Sequence, residues 1–331
     1  MTKPECNSKT VLLTGAGGPA IAGMISILRN WGYRIIAVDM LPFASGFYLA
    51  DKSYVVPPGN SPEFLGKIKQ ICREEKVDAV ISVVDEELSQ VLELEQQGIA
   101  VIQPKLDFVN LCIDKFKCMN ALTQAGINAP ATWSVSELPG DVVYPLFIKP
   151  RVGRGSRGCG RVNSLDELTA FLANSAYSPL QLLAQTFVPG TEFTVSVVVW
   201  RDGEVQAIVP KQIISKVGVT KAAVTRKNEK IDSLCMSIQQ RFKADGPFNV
   251  QLVLAENGEP FPFEINPRFS TSITLTNAAG VDEMGGLLSQ ALFGKGSFRF
   301  SAWNEGVVLV RHTMDQFISE SKFLEVSRPG G

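Results

Sequence analysis

At 331 residues the chain is long enough for two or three domains with cores of their own, which excludes a disulfide-stapled mini-protein. Hydrophobic residues make up 45% and charged residues 20%, with 28 Gly and 19 Pro, so disorder, collagen and coiled coil are excluded as well. Lys plus Arg number 32 against 33 Asp plus Glu, and a net charge of -1 gives no field to draw the chain onto nucleic acid or a membrane; any anion recognition is local.

Thr10 to Leu28 carries no charge and follows Lys3 and Lys9, as a signal peptide would. Gly15, Gly17, Gly18 and Pro19 break that reading and suit a strand, a tight turn and a helix start instead. Short apolar runs then alternate with amphipathic stretches: Val11-Leu12-Leu13 strand, Ala20 to Asn30 helix, Arg34 to Val38 strand, Glu63 to Glu75 helix, Ala79 to Val83 strand, Glu86 to Gln96 helix, Ile99 to Ile102 strand. Sequential βα units predict a parallel sheet covered by helices on both faces, a Rossmann-like half. A helical stretch follows from Val109 to Gln124, closed by Gly126 and stopped by Pro130.

Beyond Pro130 the pattern changes to α+β. Alternating strands over Tyr144 to Lys149, Leu180 to Gln185, Glu192 to Trp200 and Asn249 to Ile265 are interleaved with helical patterns at Leu165 to Asn174, Ile231 to Phe242 and Met284 to Phe293. The polar tail from 319 to 331 predicts a frayed end. Cys6, Cys72, Cys112, Cys118, Cys159 and Cys235 form no C-x-x-C pair, which reads as reduced thiols of a cytoplasmic protein. The single histidine, His312, excludes an H-E-x-x-H zinc site.

Four constellations carry chemistry. Gly15-Ala16-Gly17-Gly18-Pro19-Ala20 matches G-x-G-x-x-A after a strand, and Asp39 ends the second strand 24 residues beyond Gly15; this is either a dinucleotide fingerprint or a structural or substrate-facing turn. Phe147 to Arg161 packs four glycines and five cations into fifteen residues without an acid, a composition suited to phosphate. Asn257-Gly258 predicts a two-residue hairpin turn, so opposed residues sum to 515: Gln251 faces Glu264 and Asn249 faces Asn266, with Cβ atoms about 4.5 to 5.5 Å apart. The oxygen-bearing side chains on that face, only one of them charged, suit hard Mg²⁺, the other face carries Val250, Leu252, Leu254, Phe261, Phe263 and Ile265 toward a core, and Arg268 continues the polar side. Lys211, Lys216, Lys221 and Arg226 recur every five residues in an acid-free stretch from Val205 to Asn228; that period fits neither helix nor strand and predicts a mobile loop, solvated or acting as an anion-binding lid.

Taken in order, these motifs resemble an ATP-grasp enzyme, and in particular the ATP-binding half of carbamoyl-phosphate synthase large subunit and stand-alone carboxylate-amine ligases. The resemblance runs over about residues 10 to 295, through Leu13-Thr14-Gly15-Ala16-Gly17, Asp114-Lys115, Phe147-Ile148-Lys149-Pro150, Gln185 to Glu192 and Phe263-Glu264-Ile265-Asn266-Pro267-Arg268. It implies an α/β chain with a Rossmann-like pre-ATP-grasp domain over 1–110 and a two-lobed α+β ATP-grasp domain over 111–318, the small lobe about 125–184 and the large lobe about 185–318.

By the same resemblance Lys115 and Lys149 contact ATP phosphates and the loop of Gly153, Gly155, Ser156 and Gly158 closes over them. Gln185, Thr186, Phe187 and Val188 form the adenine hinge, Glu192 takes the ribose hydroxyls, and Gln251, Glu264 and Asn266 bind Mg²⁺, with Mn²⁺ able to substitute. Arg268 and Lys211 steady the transferred phosphoryl or acyl phosphate. The implied reaction joins a small carboxylate, an amino acid or similar, to an amine through an acyl phosphate, and a homodimer is common in the family. Two features depart from the carbamoyl-phosphate synthase pattern: Phe269-Ser270-Thr271 stands where a second Arg is expected, and Gln251 is neutral where many relatives carry Asp or Glu. The competing readings are an ATP-binding regulator without ligase activity and a nicotinamide-dependent oxidoreductase using the Gly15 turn and Asp39.

Overall fold

The computed structural model describes residues 9–327. Its first part is the anticipated βα alternation: β1 (Thr10–Thr14), α1 (Ile21–Asn30), β2 (Arg34–Asp39), β3 (Lys52–Val55), α2 (Phe64–Glu74), β4 (Ala79–Ile81), α3 (Leu88–Val91) and β5 (Ala100–Val101). The strands pair in parallel in the order β3-β2-β1-β4-β5. Val11, Leu12 and Leu13 are fully buried because β1 is central and covered on both faces. The sheet reverses its direction of growth between β1 and β4, so the crevice beyond their C-terminal ends is the natural ligand-facing edge of this domain.

Two sequence expectations fail here. The helix expected over Glu86 to Gln96 is broken into a 3₁₀ turn at Asp85–Glu87, the four-residue α3, and a second 3₁₀ stretch at Leu92–Gln97. The helix expected over Val109 to Gln124 is two helices, α4 (Leu106–Ile113) and α5 (Lys115–Gln124), separated at Asp114. Asp114 takes an extended backbone conformation and its carboxylate caps α5 by accepting from the Phe116 and Lys117 amides.

A four-stranded antiparallel sheet follows, built from β6 (Thr132–Ser134), β7 (Leu146–Pro150), β8 (Gly160–Val162) and β9 (Leu182–Thr186) in the order β6-β9-β7-β8, with α6 (Leu165–Ala173) against it. The last sheet has six strands: β10 (Gly190–Val199), β11 (Val205–Val217), β12 (Val219–Thr225), β13 (Phe248–Ala255), β14 (Pro260–Asn266) and β15 (Val308–Val310), in the order β14-β13-β10-β11-β12-β15. α7 (Glu229–Phe242), α8 (Ile273–Ala278) and α9 (Glu283–Phe293) complete the region.

The mobile loop expected from Val205 to Asn228 is instead the long hairpin of β11 and β12. Register shifts between Ile213 and Ser215 and between Ser215 and Lys216 interrupt the two-residue alternation, which is why the spacing of cations matched no regular element. The tail expected to fray from 319 folds as α10 (Glu320–Ser327), where Val326 packs against the same core as Ala50 and Val55. Residues 328–331 of that tail lie outside the described residues. Among the described residues no helix is long and apolar enough to cross a membrane.

Candidate functional site

The two antiparallel sheets face each other across a cavity of about 240 Å³. On the four-stranded side, alternation along β7 sends Leu146 and Ile148 into a core with Val162, Leu182 and Ala184, and therefore turns Phe147 and Lys149 toward the cavity. The Lys149 ammonium is buried, donates to the Phe263 carbonyl at 2.7 Å and lies 5.2 Å from that ring's centroid. Burial pulls it down to about 8, opposed by Glu264 and reinforced by Lys115.

The break at Asp114 places Lys115 at the first turn of α5, with its ammonium 2.6 Å from the Gly153 carbonyl and 3.8 Å from Glu264. Asp114 also binds Arg151 through two 2.8 Å contacts, and the Arg151 guanidinium lies over Phe116, so α5 is tied to the end of β7. The cations of the Gly-rich segment are thus not all unneutralised, as the local sequence suggested: Arg151 pairs with Asp114 and Arg154 with Glu86, both acids distant in sequence. Arg157 lines the cavity, and Arg161 stacks over Phe187 at 4.4 Å.

On the six-stranded side the hairpin register at the site is the expected one, with Gln251 opposite Glu264 and Asn249 opposite Asn266. Nearer the turn it differs. Leu252 pairs with Pro262, so Phe263 is an extra residue bulged out of β14, and the loop is three residues, Glu256–Asn257–Gly258, with Gly258 left-handed at φ 76. The bulge moves Phe261 and Phe263 off the core face where strict alternation placed them, and both line the cavity with Val253. Val250, Leu252 and Ile265 remain in the core.

Gln185, Thr186, Phe187 and Val188 run along the opposite rim, and the Gln185 amide is fixed by Thr132 at 3.0 Å. Glu192 projects from β10, and the Lys216 ammonium, which the sequence motifs left unassigned, bridges Glu192 at 2.5 Å and the Gln251 side-chain oxygen at 3.4 Å. The signal for Lys216 was present only as one member of an acid-free run whose strand character the bulges hid. Gly153, Gly155 and Ser156 roof the cavity, and the Gly155 carbonyl approaches Gly218 at the β11–β12 turn. Gly158 lies just outside, where an added Cβ would stand 2.6 Å from the Tyr177 ring.

The structure does not bring the remaining expected residues to the cavity wall. Asn266 is buried, with its side-chain oxygen 3.4 Å from Arg268, and Arg268 pairs with Asp85 from the first domain. Lys211 is fully enclosed: its ammonium donates to Ser196, Thr276 and Ser270 at 2.7, 2.9 and 3.3 Å, and Glu283 accepts from Ser196. Burial lowers Lys211 to about 8, with Glu283 opposing. In the Gly15 turn, the Ala16, Gly17 and Gly18 amides donate to the Val38 carbonyl, the Asp39 carboxylate and the Gly15 carbonyl. Those donors are spent inside the fold, and so is the acid that a dinucleotide reading needs for the ribose.

The oxygen set fits one hard cation. The Glu264 carboxylate lies 3.8 Å from the Lys115 ammonium, and the Gln251 amide oxygen faces it across the register.

A parallel α/β domain leading into two antiparallel sheets that close on a cation-lined cavity defines a nucleotide-grasping architecture. Residues 112–272 match the ATP-grasp domain and residues 11–102 the PylC-like N-terminal domain, and the chain belongs to the ATP-grasp superfamily. It is 24% identical over 317 residues to the carbamoyl phosphate synthase large chain of Haemophilus ducreyi, covering 82% of this chain and 28% of that protein. In fold it is similar to the L-amino acid ligase of Bacillus licheniformis, with a TM-score of 0.69 and 19% identity over 90% of this chain and 77% of that one. It is likewise similar to the biotin carboxylase domain of Hydrogenobacter thermophilus 2-oxoglutarate carboxylase, solved with MgADP and bicarbonate, at a TM-score of 0.70 and 17% identity over 88% of this chain and 72% of that one.

Proposed function

We propose that the chain is an ATP- and Mg²⁺-dependent ligase that joins a small carboxylate, an amino acid or close relative, to an amine through an acyl phosphate. The observation that carries this reading is the convergence of Lys115, Lys149, Gln251 and Glu264 at one end of a cavity whose other rim is Gln185 to Val188. The ammonium groups suit phosphate oxygens, Glu264 with Gln251 suits the accompanying Mg²⁺, and the strand edge at Gln185 to Val188 offers backbone groups to adenine.

The substrate carboxylate attacks the γ-phosphorus, the bond to the ADP oxygen breaks, and the amine then attacks the acyl carbon and expels phosphate while losing a proton. Positioning and charge neutralisation supply most of the acceleration in phosphoryl transfer, so a site without histidine suffices. Arg268, held by Asp85 at the domain boundary, is the group we assign to the acyl end. The hydroxyl cage around Lys211 commits its charge to the fold, so we assign it no contact with substrate.

The test is ADP release from Mg-ATP with pooled amino acids and amines. Glu264→Gln should lose turnover while keeping its fold; full activity in that variant removes the metal assignment. Thermal unfolding with Mg-ATP or NADPH separates the dinucleotide reading, because a ligand at about 100 times its dissociation constant stabilises by about 2.7 kcal/mol. Nucleotide binding without ADP release from any pool would favour the regulator.

A further inference from the structure

β11 carries two register shifts just before its tip, and they turn the Lys216 side chain back over the sheet instead of into solvent. Its ammonium settles between Glu192 on β10 and Gln251 on β13. Gln251 stands directly opposite Glu264, at a position where a carboxylate would give the pair two negative charges. An amide there supplies an oxygen but no charge. Among the described residues no group of three or more His, Cys, Asp or Glu side chains lies close enough to hold a metal ion. The anionic ligation at the Gln251–Glu264 pair therefore rests on Glu264, and the place beside Gln251 is filled by a fixed positive charge.

We propose that Lys216 is a built-in cation that stands where a first divalent ion would otherwise sit, so that the site takes one Mg²⁺, at Glu264, rather than two. This rests on the nucleotide reading of the cavity. An ammonium on a β-hairpin tip neutralises polyphosphate charge as a point cation and needs no anionic ligand set. Its partner Glu192 keeps it oriented, and the neutral Gln251 removes the competing demand for a second metal.

The probe is Mn²⁺, counted by electron paramagnetic resonance in the presence of saturating β,γ-imido-ATP, a readout independent of turnover. The wild-type chain should hold one Mn²⁺. Lys216→Met should weaken analogue binding about tenfold or more, the loss expected for one charge-assisted contact, while Lys216→Arg retains most of the affinity. The double variant Lys216→Met/Gln251→Glu should hold two Mn²⁺. Two ions in the wild type, unchanged analogue affinity in Lys216→Met, or a single ion in the double variant would each overturn the inference. Absence of any analogue binding by the wild type would instead overturn the nucleotide reading, and this inference with it.

Discussion

Glu87 shows how a single buried carboxyl sets a pH dependence. It lies at the crevice between β1 and β4 and accepts from Ser82, which in turn accepts from Thr14. Burial raises it from 4.5 to about 7. The unfolded chain therefore loses this proton first, so the group costs stability progressively as pH rises from 4.5 to about 7, and the full span is on the order of 3 kcal/mol. Glu87→Gln keeps an acceptor for Ser82 and cannot ionise. Its melting temperature should exceed that of the wild type above pH 7 and change less between pH 5 and 7; parallel profiles for the two proteins would refute the assignment.

At the scale of elements, the decisive feature is the interruption between α4 and α5. A continuous helix would leave Lys115 in mid-helix, whereas the capped start at Asp114 aims it at the Gly-rich segment. Asp114→Ala removes a helix cap and the pair with Arg151, and should lower stability by about 2 kcal/mol and weaken nucleotide binding. Asp114→Asn keeps the cap acceptor and should lose about half as much, measured by denaturant midpoints.

The same contrast explains what the sequence could reveal. Local patterns found the parallel βα units, the Lys149 strand and the Gln251–Glu264 register, because each depends on alternation or period within one segment. The break at Asp114 and the strands of the 205–225 hairpin escaped, because caps and bulges suspend that periodicity over one or two residues. Phe261 and Phe263 were placed on the wrong face for the same reason. The partners of Arg151, Arg154 and Lys216 were invisible because the acids that meet them lie 24 to 68 residues away.

At the scale of the whole molecule, the first domain owns the core on one face of its sheet, around Leu12, Ile36, Phe64 and Val80, but shares the core on the other. Val11, Leu13, Met24 and Trp31 share one buried cluster with Val198, Phe269, Met284 and Leu287 from the C-terminal part, and the Trp31 indole donates to Asp282 at 2.7 Å. Arg201 reaches back in the same way to the Gln103 and Val101 carbonyls. Calorimetry of the full chain should give one cooperative transition, and residues 1–110 expressed alone should melt without cooperativity and bind a hydrophobic dye. Two resolved transitions would show that the shared cluster does not couple the domains.

The bulge at Phe263 has a consequence for how this sequence can vary. Because the extra residue lies between the turn and the Gln251–Glu264 pair, it resets parity along β14. Residues on the tip side can be exchanged, and the three-residue loop can change length, without disturbing that pair. Loss of Phe263 alone removes the extra residue, sets Pro262 beside Glu264 and restores strict alternation, with Gln251 still opposite Glu264 and Leu252 still opposite Pro262. Descendants of this chain should therefore tolerate loss of one residue from the middle of β14 more readily than loss of one from the facing stretch of β13, which leaves β14 two residues too long, an asymmetry imposed by geometry rather than by the chemistry of any single residue.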